Sequence, residues 1–158
     1  MRNLALLLAL LAQDQVDNPE YKGWAAFKPG SFVVFKYSAP QGGFQKNTLK
    51  SVSDTEVVIE TETSTDGKAG GRSMERKIPA KLSADLAPKN VKDGEEEIEV
   101  AGKTMKCKTK EFDKTLAGGR KSTLKIWGNE DIPGKGAQVV ITTETGKFQM
   151  TATEWEKK

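Results

Sequence analysis

Acidic and basic residues separate sharply in the stretch from residue 95 to residue 108, which reads EEEIEVAGKTMKCK. A two-residue turn at Ala101-Gly102 would set the acidic half directly against the basic half in an antiparallel hairpin. Opposite charges facing each other across strands contribute roughly 0.2–1 kcal/mol per pair. The predicted register opposes Val100 with Lys103, Ile98 with Met105, Glu97 with Lys106 and Glu95 with Lys108.

The hairpin also accounts for the distribution of charge along the chain. Residues 92–100 carry five acids against one lysine, and residues 101–125 carry eight basic residues against two acids. The whole chain has 25 basic and 22 acidic residues, a net charge of +3. Because the two blocks neutralise each other by register, we interpret the lysine run as structural and expect no nucleic-acid partner.

Other segments alternate between apolar and polar residues with a period of two, which is typical of strands. Residues 32–37 are apolar on both faces in their first half and predict a central strand, whereas residues 56–62 predict a strand with one wet side. Residues 137–144 and 147–153 predict a further pair, joined by a tight turn at Thr145-Gly146.

Turn signals divide the remaining chain. Glycines predict a flexible loop at 65–71 and a hairpin loop at 116–120, and residues 80–86 predict either irregular crossing structure or a single helical turn. Eight or nine strands at this spacing indicate a mainly β fold. We expect an antiparallel meander that closes either into a sandwich or into a half-barrel or barrel-like curved sheet.

One short helix is predicted near the N-terminus. Asn18 can cap it, Pro19 suits its first position, and the helix should end by residues 28–30. Tyr21, Trp24 and Phe27 fall on one side of it, and that side is predicted to dock on the sheet. The alternative places Trp24 at the mouth of a ligand site.

The first twelve residues have the layout of a secretory signal peptide. A basic start precedes a nine-residue run of leucine and alanine, and polar residues follow at once. The run is far short of the roughly 20 residues that span a bilayer, so no transmembrane anchor is predicted. We expect residues 1–12 to be a signal peptide and 13–158 to be a single exported β-rich domain, periplasmic or extracellular. The alternative is a buried N-terminal helix.

Histidine is absent and Cys107 is the only cysteine. These counts exclude Ser-His-Asp and Cys-His catalysis, histidine-ligated metals, thiolate zinc clusters and any internal disulfide. Cys107 is interpreted as a buried small hydrophobe, with a reactive thiol as the alternative. Residues 128–131 are interpreted as a solvated turn rather than a calcium site. The sequence therefore predicts no catalytic residues, no metal and no cofactor.

Three stretches carry a resemblance to a known group. They are residues 18–31 (NPEYKGWAAFKPGS), residues 97–107 (EIEVAGKTMKC) and residues 126–134, where IW is followed by DIPG. Together they resemble secreted bacterial β-proteins similar to the lipoprotein-carrier half-barrel superfamily typified by LolA and LolB. The resemblance implies a curved antiparallel sheet around a helical segment, with an apolar inner face able to take lipid acyl chains.

The functional prediction is a non-enzymatic exported envelope protein that binds a lipid or another apolar ligand on the concave face. The alternative is a structural or adaptor protein with a filled core, whose strand edges or Trp127 and Trp155 contact an envelope partner. Hydrolase or transferase activity is a third hypothesis, since carboxylates and hydroxyls are plentiful. The predicted ligand-binding residues are Val57, Ile59, Ile98, Met105, Val139, Ile141, Phe148 and Met150.

Overall fold

The computed structural model describes residues 14–38, 42–65, 71–115 and 118–158. The predicted signal peptide, residues 1–12, lies outside these described residues, as do parts of the predicted loops at 65–71 and 116–120. The described residues form a mainly β structure with one α-helix. Within them, no helix is long and apolar enough to cross a membrane.

Eleven strands are found in the described ranges. They are β1 (Gln15–Asp17), β2 (Phe32–Tyr37), β3 (Phe44–Val52), β4 (Glu56–Ser64), β5 (Arg72–Pro79), β6 (Lys81–Ser83), β7 (Lys89–Val100), β8 (Lys103–Thr115), β9 (Lys121–Gly128), β10 (Gly136–Thr143) and β11 (Gly146–Glu156). Nine of them form one antiparallel sheet in the order β5-β4-β3-β2-β11-β10-β9-β8-β7, and β1 pairs separately with β6. The predicted antiparallel architecture is confirmed.

The helix α1 spans Pro19–Ala25 and begins where the sequence predicts. The side-chain oxygen of Asn18 accepts a backbone N–H of the first turn at 3.0 Å. Trp24 is buried in the core, and Tyr21 and Phe27 are half-buried against it. The predicted docking of this aromatic side is therefore confirmed.

The hairpin of β7 and β8 has the predicted register. All four predicted pairs oppose each other, including Glu97 with Lys106 and Ile98 with Met105. Ion pairs cross this hairpin, such as Lys106 Nζ to Glu95 Oε2 at 3.3 Å. Charge cancellation through register is confirmed.

The turn between β10 and β11 differs from the prediction by one residue. Thr143 pairs with Gly146, so the turn residues are Glu144 and Thr145 rather than Thr145 and Gly146. The Thr143 hydroxyl donates to the Gly146 carbonyl at 3.1 Å, which closes the turn at that pair.

Between β5 and β7, the predicted single helical turn is present, but it follows a short strand that the sequence did not predict. Strand β6 is followed by a 3-10 turn at Ala84–Leu86. Residues 80–88, called the crossing segment below, join the two outermost strands of the main sheet. Asn18 binds the start of this segment, since its backbone N–H donates to the Ala80 carbonyl at 3.0 Å.

Candidate functional site

The two faces of the sheet are distinguished by strand register, because directly paired residues share a face. Val33, Asn47 and Thr61 are paired in a row across β2, β3 and β4 and define the face called the groove face. Thr109, Trp127 and Gln138 are paired across β8, β9 and β10 and define the reverse face. By the same pairing, Met150 of β11 and Val139 of β10 also lie on the groove face.

A groove of about 1430 Å³ lies on the groove face. Residues of α1 and of the crossing segment line it opposite the sheet, so the groove lies between the sheet and these two elements. Most of the uncharged lining is apolar. The apolar side chains are Trp24, Phe35, Leu82, Leu86, Val91, Phe112, Leu124, Ile126, Val139 and Met150.

The structure divides the eight predicted ligand-binding residues into three groups. Val139 and Met150 line the groove. Ile141 and Phe148 are half-buried and paired with each other on the same face. The remaining residues on this face, Val57 and Ile59, are fully buried in the core.

Ile98 and Met105 lie on the reverse face, which corrects the prediction that all eight residues share one face. They are paired with each other, and Met105 alternates along β8 with Cys107 and Thr109. Thr109 is paired with Trp127, on the reverse face. Neither Ile98 nor Met105 lines the groove, although both pack against the buried core cluster.

Cys107 is buried, as predicted, with 1% of its surface exposed. Burial raises the pKa of its thiol. It belongs to the same buried cluster as Val100, Trp127 and Val140. Cys107 is therefore a core residue on the reverse face of the sheet.

A ladder of polar side chains runs along the groove face of β2, β3 and β4. The Tyr37 hydroxyl donates to Gln45 Oε1. Gln45 Nε2 donates to Asn47 Oδ1 at 2.9 Å, and the Thr61 hydroxyl donates to the same oxygen at 3.0 Å. Burial raises the pKa of Tyr37 above its ordinary value of 10.0.

Gln45 and Asn47 both line the groove, and sequence analysis did not select either of them. The signal available was the spacing of Gln45, Asn47 and Leu49 at every second position, which puts two amides in line with a core leucine. Leu49 is fully buried and Asn47 is only 7% exposed. The ladder is therefore a buried polar feature beside an apolar groove.

Among the described residues, three of the nine charged side chains that line the groove form ion pairs. Arg76 Nη2 lies 2.6 Å from Glu20 Oε1, and Lys110 Nζ lies 2.9 Å from Asp93 Oδ1. Among the residues that the structure describes, no cluster of three potential metal-ligating side chains occurs. The groove therefore offers apolar contact, hydrogen bonding and several charged side chains, Lys89, Lys114 and Lys121 among them.

Comparison with known proteins found no matching family model and no matching curated protein.

Proposed function

We propose that this protein binds the apolar chain of a lipid in the groove and acts as a non-enzymatic carrier or sequestering protein. The observation that carries the proposal is the groove of about 1430 Å³ between the sheet, α1 and the crossing segment. Typical small-molecule sites are about 300–1,000 Å³ and mostly apolar, with a few polar groups. The groove is larger than that range, and its large apolar side chains offer contact to a ligand longer than a typical metabolite.

The topology supports a curved, half-barrel sheet. A flat sheet of nine strands would place β5 and β7 about 38 Å apart, at about 4.8 Å per strand spacing. The chain from Pro79 to Lys89 reaches at most about 35 Å when fully extended, and it also has to pass from one end of the strands to the other. Part of it is a 3-10 turn, which supports the proposal that the two edges curl toward each other.

This curvature gives the groove its binding capacity. Burying an acyl chain against Phe35, Val139 and Met150 removes apolar surface from water on both partners. Such burial is worth roughly 25 cal/mol for each Å². Lipid binding would therefore be driven by the hydrophobic effect, with α1 and the crossing segment excluding water from the other side.

The proposal extends to the exported location and the LolA/LolB-like resemblance. The predicted signal peptide would deliver residues 13–158 out of the cytoplasm. The resemblance implies a curved antiparallel sheet around a helical segment, and the position of α1 on the groove face supports that arrangement. A carrier of this type would shield one apolar chain during passage between membranes.

The decisive experiment is native mass spectrometry of residues 13–158 with added oleate, with and without prior organic extraction. Wild-type protein should gain the mass of one oleate. Val139→Trp, which fills the groove, should lower the bound fraction about tenfold. Gln149→Trp is the matched control, because Gln149 is half-buried on the reverse face, and it should bind like wild type. Equal binding by both folded variants, or none by wild type, would overturn the proposal.

A second candidate function is an adaptor with a protein partner. Strand β5 forms one edge of the main sheet, and Met74 on it is 62% exposed. Exposed edge strands can accept a further strand from another chain. A photo-crosslinking residue at position 74 should then give one discrete product in cells. The same residue at Lys147, an exposed position away from that edge, should not.

A further inference from the structure

The amide of Asn47 lies in the ladder between Gln45 and Thr61. Its Oδ1 accepts two hydrogen bonds, from Gln45 Nε2 and from the Thr61 hydroxyl. An amide oxygen has two acceptor sites, so this oxygen is fully used. The two N–H donors on Nδ2 are therefore the hydrogen-bonding groups of Asn47 that remain for a ligand.

Asn47 Nδ2 faces the groove. Within the described ranges, it donates to no protein group. Every completely buried side-chain nitrogen or oxygen in those ranges has a partner, so an atom without one must touch open space. The side chain is more than nine-tenths buried, and the open space that it borders is the groove.

The donor sits at one end of a continuous apolar path. From β3 toward β8, the lining passes through Phe35, Met150, Val139 and Ile126 to Phe112. Five strand spacings separate β3 from β8, a distance of about 24 Å along the sheet. That path suits one long chain that carries a polar group at its β3 end.

A ligand that fills the groove changes which group can accept a hydrogen bond from Asn47 Nδ2. Water can hydrogen-bond Nδ2 while the groove is empty, but an acyl chain would displace that water. A buried donor without an acceptor is strongly unfavourable. A ligand that covers Asn47 must therefore bring its own acceptor to this point.

We infer that the ligand is an acyl compound whose carbonyl oxygen, from a free carboxylate or an ester, accepts a hydrogen bond from Asn47 Nδ2 at the β3 end of the groove. This inference rests on the proposed function and names the head group that the groove selects. The ladder from Tyr37 through Gln45 holds the amide in place, so that its donors are oriented before the ligand arrives.

The first test uses wild-type protein and three probes with the same chain: oleate, methyl oleate and 9-octadecene, each delivered from cyclodextrin. The two carbonyl compounds should bind at least about tenfold more tightly than the hydrocarbon. Stronger binding of oleate would identify a free carboxylate, and equal or stronger binding of methyl oleate would identify an esterified lipid. Equal binding of all three would overturn the inference and leave the proposed function intact, whereas no binding of any would overturn both.

The second test uses Asn47→Asp, which keeps the oxygen that accepts from Gln45 and Thr61 but replaces the Nδ2 donors by an anionic oxygen. Binding of methyl oleate should fall about tenfold and that of oleate further, while binding of 9-octadecene should not fall. Gln149→Glu makes the same chemical change on the reverse face, where Gln149 Nε2 donates to Thr151, and should alter none of the three affinities. Unchanged carbonyl binding by a folded Asn47→Asp protein would contradict the inference.

Discussion

The indole of Trp24 lies so close to the backbone of Gly134 that a Cβ at Gly134 would come within 2.7 Å of Trp24 Cε2. Gly134 also has φ +76°, a left-handed conformation that favours glycine. Trp24 belongs to α1, and Gly134 lies in the loop between β9 and β10. This contact fixes the helix over the groove face at one end of the groove.

Gly134→Ala should destabilise the protein by roughly 2–4 kcal/mol, because it adds overpacking against Trp24 to the strain of a positive φ. Urea unfolding measures the change. Gly102→Ala is the matched control, since Gly102 has φ +73° and open space where its Cβ would lie. It should cost only about 1 kcal/mol, and equal losses in the two variants would show that the Trp24 contact contributes nothing.

Ala101 is the first residue of the turn between β7 and β8 and has φ +51°. Alanine is unfavourable there, whereas asparagine before glycine is strongly preferred in such two-residue turns. Ala101→Asn should therefore raise the unfolding free energy by up to about 1 kcal/mol. Ala101→Val should lower it, since a β-branched residue tolerates positive φ poorly. The same sign of change in both variants would contradict this account of the turn.

The register of the β7–β8 hairpin is a feature that the sequence alone could predict. Its register could be read because a turn signal, a charge division and an apolar alternation all agree between residues 95 and 108. Strand β3 and strand β5 were not identified, because lysine, glutamine, serine and arginine interrupt their alternation. Their order follows instead from pairing with β4, whose pattern is clear.

The groove was harder to predict than the sheet. Alternation identifies which residues of one strand share a face, but it does not link that face to the next strand. Ile98 and Val139 therefore looked equivalent in sequence, although register puts them on opposite faces. Asn47 was missed for a related reason, since a polar residue in a strand is ordinarily assigned to the solvent side.

Asp17 joins three elements, because its two carboxylate oxygens lie 2.5 Å from Lys22 Nζ and from Lys81 Nζ. Hydrogen bonds from Lys22 and then Lys81 lower its pKa from 3.8 to about 2. A lowered folded-state pKa stabilises the protein above the ordinary pKa, and that contribution is lost as pH falls through the folded value.

Asp17→Asn should therefore lower the melting temperature at pH 7, and the difference from wild type should shrink between about pH 4 and pH 2. Thermal unfolding followed by circular dichroism across this range is the measurement. Asp14→Asn removes the same charge from a residue that forms no ion pair within the described part of the chain. A pH-independent difference for Asp17→Asn would show that its ion pairs do not stabilise the fold.

Cys107 can report whether the β7–β8 hairpin stays closed. Its thiol is buried, and burial raises its pKa, so alkylation by iodoacetamide at pH 8 requires the hairpin to open. Glu96, directly opposite Cys107, accepts hydrogen bonds from Trp127 Nε1 at 2.7 Å and from Lys125 Nζ at 2.5 Å. These bonds tie the outermost strand to β9, across β8.

Glu96→Gln should therefore speed alkylation of Cys107 several-fold in native buffer, because the amide has one acceptor oxygen in place of two and turns a donating NH2 toward the other donor. In concentrated urea, where the hairpin is open in every variant, the rates should become equal. Glu97→Gln is the matched control. Glu97 lies on the groove face and is paired with Lys106, so the loss of its charge leaves the hydrogen bond between Glu96 and Trp127 in place. If Glu96→Gln left the native rate unchanged, the bonds between Glu96 and β9 would not limit opening, and the closure of this edge would have to come from apolar packing around Cys107 alone.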